Sequence, residues 1–158
     1  MPNKEHFYTA NLKWTGNNGT GTDGYTKYER SHEIFIDGKP NILMSSDPSF
    51  RGDRSCYNPE ELLVCSISSC HMLWYLHLCM DAGVVVMGYQ DQAKGTMEES
   101  ADGSGRFTEI ILNPKVVVAS AEMIAKANAL HEQAHKMCFI ANSVNFPIHH
   151  QAQAEVMS

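Results

Sequence analysis

One segment, residues 58–83, constrains this chain more than any other, because it reads as a helix with apolar or small residues on nearly every face. Its start is written locally: Asn58 suits an N-cap, Pro59 the first helical position, and Glu60 and Glu61 favour the positive end of the helix dipole. The segment runs through Leu62, Leu63, Ile67, Met72, Leu73, Trp74 and Leu76 to a stop at Asp81-Ala82-Gly83. A helix without a polar face has to be wrapped by other elements, so the rest of the chain is expected to supply the wrapping.

The flanking pattern is that of strands. Polar and apolar residues alternate over residues 6–14 and 25–36, and a short run follows at 41–44, which predicts an antiparallel meander. The glycine-rich stretch 16–24 lacks the Gly-Lys-Ser/Thr that closes a phosphate cradle, and Tyr25 opens a strand, so a hairpin loop is expected there. Residues 45–57, with Arg51-Gly52-Asp53-Arg54, have no period and predict a long loop of the kind that often carries function. After the helix, Val84-Val85-Val86 opens a β-branched stretch through Tyr89 to Met97, Asp102-Gly103-Ser104-Gly105 turns, and residues 107–118 form the next strand. Ser120 caps a second helix over residues 121–138, with Met123, Ile124, Ala127, Leu130, Ala134 and Met137 at helical spacing, and residues 146–156 close the chain as a strand. The order β-β-β-α-β-β-α-β predicts an α+β fold, a single domain over residues 1–158 with sheet around two helices.

Composition narrows the partners. The formal charge is -6 and the twelve Lys and Arg are scattered, which leaves no footprint for nucleic acid. No apolar core follows Met1-Pro2-Asn3-Lys4, and no uninterrupted apolar run reaches the about 18 residues of a membrane span. The expectation is a cytoplasmic protein with no membrane partner. The five cysteines, Cys56, Cys65, Cys70, Cys79 and Cys138, are odd in number and form no spaced framework, as suits reduced thiols.

Two constellations carry chemistry. Cys70 lies deep in the first helix and Cys138 near the end of the second, so packing the helices together brings both sulfurs within reach, although a free Cys also serves as small core filler. His131-Glu132-Gln133-Ala134-His135 matches His-Glu-x-x-His, which on a helix holds Zn²⁺ between two imidazoles with the Glu activating water. The strand-like alternation of residues 146–156, with Pro147 and His149-His150, leaves no helix to deliver a third ligand from Glu155. Among the other histidines, His71 follows Cys70 and points about a hundred degrees away from it on the helix, while His135 sits one turn before Cys138.

The segment Asn58-Pro59-Glu60-Glu61-Leu62-Leu63-Val64-Cys65-Ser66-Ile67-Ser68-Ser69-Cys70 resembles the Asn-Pro-Glu-Glu/Gln-Leu segment and peroxidatic cysteine of the OsmC/Ohr family. Ala134-His135-Lys136-Met137-Cys138-Phe139-Ile140-Ala141-Asn142-Ser143 resembles that family's resolving-cysteine segment, with Phe139 where the family usually has Pro. The resemblance implies an OsmC-like fold, antiparallel sheets wrapped around two central helices, in an intertwined homodimer. It further implies reduction of organic hydroperoxides by a Cys70 thiolate, resolution by Cys138, and recycling by an external dithiol such as a lipoylated protein, with no bound cofactor and no metal. In the family an arginine held by the glutamate matching Glu60 stabilises the thiolate, a task suited to a planar, always charged guanidinium. Arg51 is the first candidate, Arg54 the second and Arg30 the third. At about 1.5 Å per residue, the ten positions between Glu60 and Cys70 span roughly 15 Å of helix, so Glu60 and its arginine are expected to serve Cys70 of a second subunit. The alternatives are a zinc metallopeptidase using His131, Glu132 and His135, and a non-catalytic member of the fold that binds a small apolar ligand.

Overall fold

In the computed structural model, which describes residues 2–158, the long helix α1 (Pro59–Asp81) forms where the sequence places it. Asn58 accepts the Glu61 N–H at 2.9 Å and donates from its amide to the Glu61 carboxylate at 3.0 Å, a reciprocal cap that satisfies one of the free donors of the first turn. At the other end Gly83 takes φ 73°, and the Val84 N–H returns to the Cys79 carbonyl at 2.8 Å, so the carbonyls of the last turn are also met. The chain falls into two compact units, one ending at Leu62 and the other beginning at Leu63.

The first unit holds an antiparallel sheet of β1 (Asn11–Trp14), β2 (His32–Phe35) and β3 (Ile42–Met44), in that order. The meander is as expected, but its strands are shorter than the sequence predicts. Residues 25–31 lie outside the strands, although Ser31 and Glu29 still form backbone hydrogen bonds with Thr15 and Gly16, and Tyr25 and Tyr28 present their rings to Arg30, whose guanidinium carbon lies 4.6 and 4.0 Å from the two ring centres. Alternation here serves cation–π contacts rather than a pleat. The loop 45–57 is tightly tied: Asp47 accepts the Ser49 N–H at 2.8 Å, and a Cβ on Gly52 would lie 1.6 Å from the Ser46 carbonyl oxygen, so only glycine fits.

The second unit continues from α1 into β4 (Val86–Asp91), β5 (Lys94–Glu99), β6 (Gly105–Leu112), β7 (Pro114–Val118), α2 (Ile124–Met137), β8 (Ile148–His150) and β9 (Gln153–Val156). Each of the three strands predicted here is thus broken in two. The halves sort into two sheets, β4-β7-β9 and β5-β6-β8, and the last strand of each runs parallel to its neighbour, a departure from the purely antiparallel expectation. The physical cause of the break is a set of side-chain bonds. Asp91 accepts the Asn113 N–H at 2.7 Å with one carboxylate oxygen and the Ser68 hydroxyl of α1 with the other, while the Asn113 amide donates to the Gln92 carbonyl at 2.9 Å. Pro114, which has no N–H to offer a ladder, follows directly.

Helix α2 starts later than expected, after a 3-10 turn (Ala121–Met123), and Ser120 makes no side-chain cap bond to the backbone. The core has two parts: Tyr75, Cys79, Val84, Val116, Val118, Ala127 and Ala134 form one, and Ile67, Ile110, Leu112 and Ile148 the other. Burying each of the larger side chains contributes about 1.5–3 kcal/mol. The buried residues of α1 are Ile67, His71, Tyr75 and Cys79, a single stripe at four-residue spacing. The expectation of a helix wrapped on every side is therefore met on one face only in the single chain, and Leu73 and Met80 stay 60% and 63% exposed. By length and composition α1 is also long and apolar enough to cross a membrane, although its buried stripe belongs to the two core clusters.

The Asp91 clamp gives a direct check on the bent sheets. Replacing Asp91 with Ala leaves the Asn113 N–H and the Ser68 hydroxyl without their acceptor, which is expected to cost about 1–3 kcal/mol in a urea unfolding curve. An unchanged midpoint and slope would show that the clamp contributes nothing.

Candidate active site

Cys138 is the residue at which α2 stops: its backbone turns to the extended φ -66°, ψ 113°, and its side chain is only 1% exposed. Burial pushes its thiol up to about 11, the Ala141 N–H that donates to Sγ at 3.4 Å works in the other direction, and the adjacent Cys70 thiol, hydrogen-bonded to it, adds to the rise. The two thiols that the sequence singles out come from different helices and meet. Both are free, and Cys70 is the more accessible of the two.

Aromatic side chains flank the two cysteines along the chain. Trp74, one turn beyond Cys70, packs edge-on against Phe139, the residue after Cys138, with ring centres 5.4 Å apart. It makes a similar edge contact with His77 at 5.9 Å, and Leu73, Trp74 and His77 line a shallow groove of about 260 Å³. The remaining cysteines lie elsewhere. Cys65 is exposed, Cys56 is in the first unit, and Cys79 is buried beside Tyr75, with burial pushing its thiol up against an opposing hydrogen bond from Tyr75.

Glu60 and Arg51 both belong to the first unit, and the structure does not bring them together. One carboxylate oxygen of Glu60 is buried without a hydrogen-bond partner, and among the described residues Glu60 forms no ion pair with any arginine. Arg51 stands at φ 63° after the 3-10 turn Pro48–Phe50, its guanidinium carbon 5.8 Å from the Tyr25 ring centre. Arg30 is engaged by Tyr25 and Tyr28 and donates to the Tyr28 carbonyl at 2.7 Å, whereas Arg54 lies near Asp47.

The His-Glu-x-x-His helix turns inward in a way the motif does not suggest. His131 is fully buried and its Nδ1 lies 3.0 Å from Nε2 of His71, with the ring planes 3° apart. Its other face stacks on Tyr75, ring centres 3.9 Å apart. Glu132 is exposed and pairs with His150 at 3.5 Å, and among the described residues no three His, Cys, Asp or Glu side chains are grouped to hold a metal ion. A zinc peptidase needs both imidazoles free to converge on the metal and the Glu on its water, and here one imidazole and the Glu are engaged otherwise. The His71–His131 bond was missed in reading the sequence. Its signal was present in the four-residue spacings of His71 with Tyr75 and of Ala127 with His131, since the Tyr75 hydroxyl donates to the Ala127 carbonyl at 2.9 Å one turn along.

Comparison with known proteins bears on this arrangement. The family model described as OsmC-like protein matches residues 52–152. No curated protein matches the sequence. Among solved structures, an OsmC-like protein from Vibrio cholerae is similar with a TM-score of 0.83 at 29% identity, over 94% of this chain and 99% of that one. An organic hydroperoxide resistance protein from Elizabethkingia anophelis is similar with a TM-score of 0.67 at 17% identity, covering 98% and 100% of the two chains. A further organic hydroperoxide resistance protein, from Legionella pneumophila, gives 0.63 at 16% identity over 96% and 100%. At these lower identities the likeness is one of fold.

The buried histidines make stability depend on pH. Burial first, then the nearby His150 and His135, hold His71 down at about 4; burial, then His71 and His150, hold His131 at about 3. In the unfolded chain both titrate near about 6.5, so below that pH the unfolded state takes up protons that the folded state refuses. Stability is full above about pH 6.5 and is lost as pH falls from there through about 4 for His71 and on towards about 3 for His131. Melting temperature is expected to decline over that window, and to decline less in a variant with His71→Gln and His131→Asn together. A wild-type melting temperature indifferent to pH across the window would contradict this.

Proposed function

Because the chain belongs to the OsmC-like protein family, we propose that it is a thiol-dependent peroxidase that reduces organic hydroperoxides to alcohols through Cys70 and Cys138. What supports the reading is the family match over residues 52–152 together with the neighbouring thiols of Cys70 on α1 and Cys138 at the end of α2. Their unequal surroundings support one order of events. Cys70, the more accessible thiol, attacks the peroxide as thiolate: its sulfur takes the terminal oxygen, the O–O bond breaks, and the alkoxide leaves as alcohol with a proton from solvent. Cys138, whose thiol is held at about 11, is still protonated at neutral pH. When its sulfur displaces the hydroxyl of the Cys70 sulfenic acid, that proton leaves with the hydroxyl as water and the disulfide closes.

An external dithiol then returns both sulfurs to the reduced state, and a lipoyl group fits the apolar approach past Leu73, Trp74 and Phe139. The same approach suits a lipophilic hydroperoxide. The protein works as a homodimer in the cytoplasm, where thiols stay reduced. The uncovered face of α1, with Leu73 and Met80, is the apolar surface for a second copy to bury. The unpartnered carboxylate oxygen of Glu60 is a position for a guanidinium in that assembly, with Arg51 the first candidate. No metal and no bound organic cofactor enter this cycle.

Reduced protein treated with one equivalent of cumene hydroperoxide is expected to lose two free thiols, Cys138→Ser to accumulate a dimedone-reactive sulfenic acid, and Cys70→Ser not to react. Light scattering is expected to give the mass of two chains. If thiol loss in wild type is no faster than in Cys70→Ser, the peroxidase reading fails, and a non-catalytic ligand-binding member of the fold takes its place.

A further inference from the structure

Cys70 and Cys138 sit on different helices, so their meeting depends on the register of α1 against α2. Two polar rungs join these helices in the second unit. One is the His71–His131 bond at 3.0 Å and the other is the Tyr75 hydroxyl on the Ala127 carbonyl at 2.9 Å. Along α1 the rungs ascend from His71 to Tyr75, and along α2 they descend from His131 to Ala127, so they are one turn apart on each helix. His71 and His131 are 1% and 0% exposed, and sliding one helix by a single residue, about 1.5 Å, would strand both nitrogens away from water. Such a bond has one register.

The protonation pattern can also be assigned. Nε2 of His131 is buried with no partner, which is tolerable for a bare lone pair and costly for an N–H. The hydrogen therefore lies on Nδ1 of His131 and is donated to Nε2 of His71. His150 and His135 complete the cluster, Glu132 is engaged with His150, and among the described residues neither ring of the pair is bonded to a carboxylate.

We propose that His71 and His131 are a positioning pair, whose buried hydrogen bond fixes α1 against α2 in the register in which the Cys70 and Cys138 thiols are neighbours. His71 directly follows Cys70 in α1, and His131 lies about two turns before Cys138 on α2, so the bond joins the two elements that carry the cysteines, next to one of them and two turns from the other. The use of this register rests on the peroxidase reading, but the register itself does not.

A glutathione redox buffer separates the two. Exchange with glutathione disulfide closes Cys70 and Cys138 into a disulfide and releases two reduced glutathiones without any peroxide, so the fraction closed reports the effective concentration of one thiol at the other. In His71→Gln the amide oxygen reaches the place of Nε2 and accepts the His131 N–H; in His71→Leu nothing does. The effective concentration is expected to fall about tenfold or more in His71→Leu and to stay within about threefold of wild type in His71→Gln. Val118→Ala, a core change that lowers stability without touching the pair, is expected to leave it unmoved. If His71→Leu does not fold, His71→Asn, whose amide is one carbon too short, takes its place with the same expectation. Equal closure in the Gln variant and in the Leu or Asn variant, or an equal loss in Val118→Ala, would overturn the proposal. Failure of wild type to react with cumene hydroperoxide while its disulfide closes normally in glutathione would instead count against the peroxidase reading alone.

Discussion

The second unit depends on the packing of α1 against α2. A helix apolar on nearly every face gains most by being covered, and the stripe that α1 covers within the chain runs through Ile67, His71, Tyr75 and Cys79. Tyr75 is the centre of that packing: fully buried, stacked on His131, and hydrogen-bonded to the Ala127 carbonyl. Because these contacts are close-packed and polar at defined points, they set one register rather than a greasy continuum. The meeting of Cys70 and Cys138 follows from it, since one thiol rides on the middle of α1 and the other on the last turn of α2. So does the neutral state of the histidines, which are buried with no carboxylate to support a charge.

The bent sheets serve the same end from the other side. Three strands break near Asp91, Asn113 and Gln151, and each half reaches a different core cluster: Val116 and Val118 of β7 pack with Tyr75, whereas Ile110 and Leu112 of β6 pack with Ile67. A straight strand would reach only one. The Asp91 carboxylate holds the bend and reaches Ser68 on α1, so the helix and the sheet are fixed to each other only two residues from Cys70. The opposite face of α1 remains open within the single chain, with Leu73 and Met80 uncovered.

What could be read from the sequence was what local chemistry decides. The caps at Asn58 and Gly83 are made by residues within a turn of the helix ends, and the structure realises both. The strand breaks rest on Asp91 and Asn113, bonded across 22 positions, and no local period announces such a bond. The apparent strand from Tyr25 misled because its aromatic residues alternate, as a strand's would, while their rings hold Arg30. At the site, Cys70 and Cys138 are singled out by the resemblance of residues 58–70 and 134–143 to family segments, not by their helical spacing, which suits core filler equally well. The His-Glu-x-x-His spacing around His131 says nothing of His71, its partner 60 positions away. The guanidinium for Glu60 was not legible in structural terms, since its carboxylate finds no arginine within the single chain.

The most direct test of the central claim is a non-reducing peptide map of wild-type protein after exposure to a limiting amount of organic hydroperoxide. With five free thiols in the chain, ten intramolecular pairings are open. The junction of α1 and α2 predicts that the oxidising equivalents appear in one species, the peptide containing Cys70 linked to the peptide containing Cys138, with Cys56, Cys65 and Cys79 left alkylatable. Oxidation spread over the exposed Cys65, or a disulfide joining any other pair, would contradict the claim that this junction is the reactive centre.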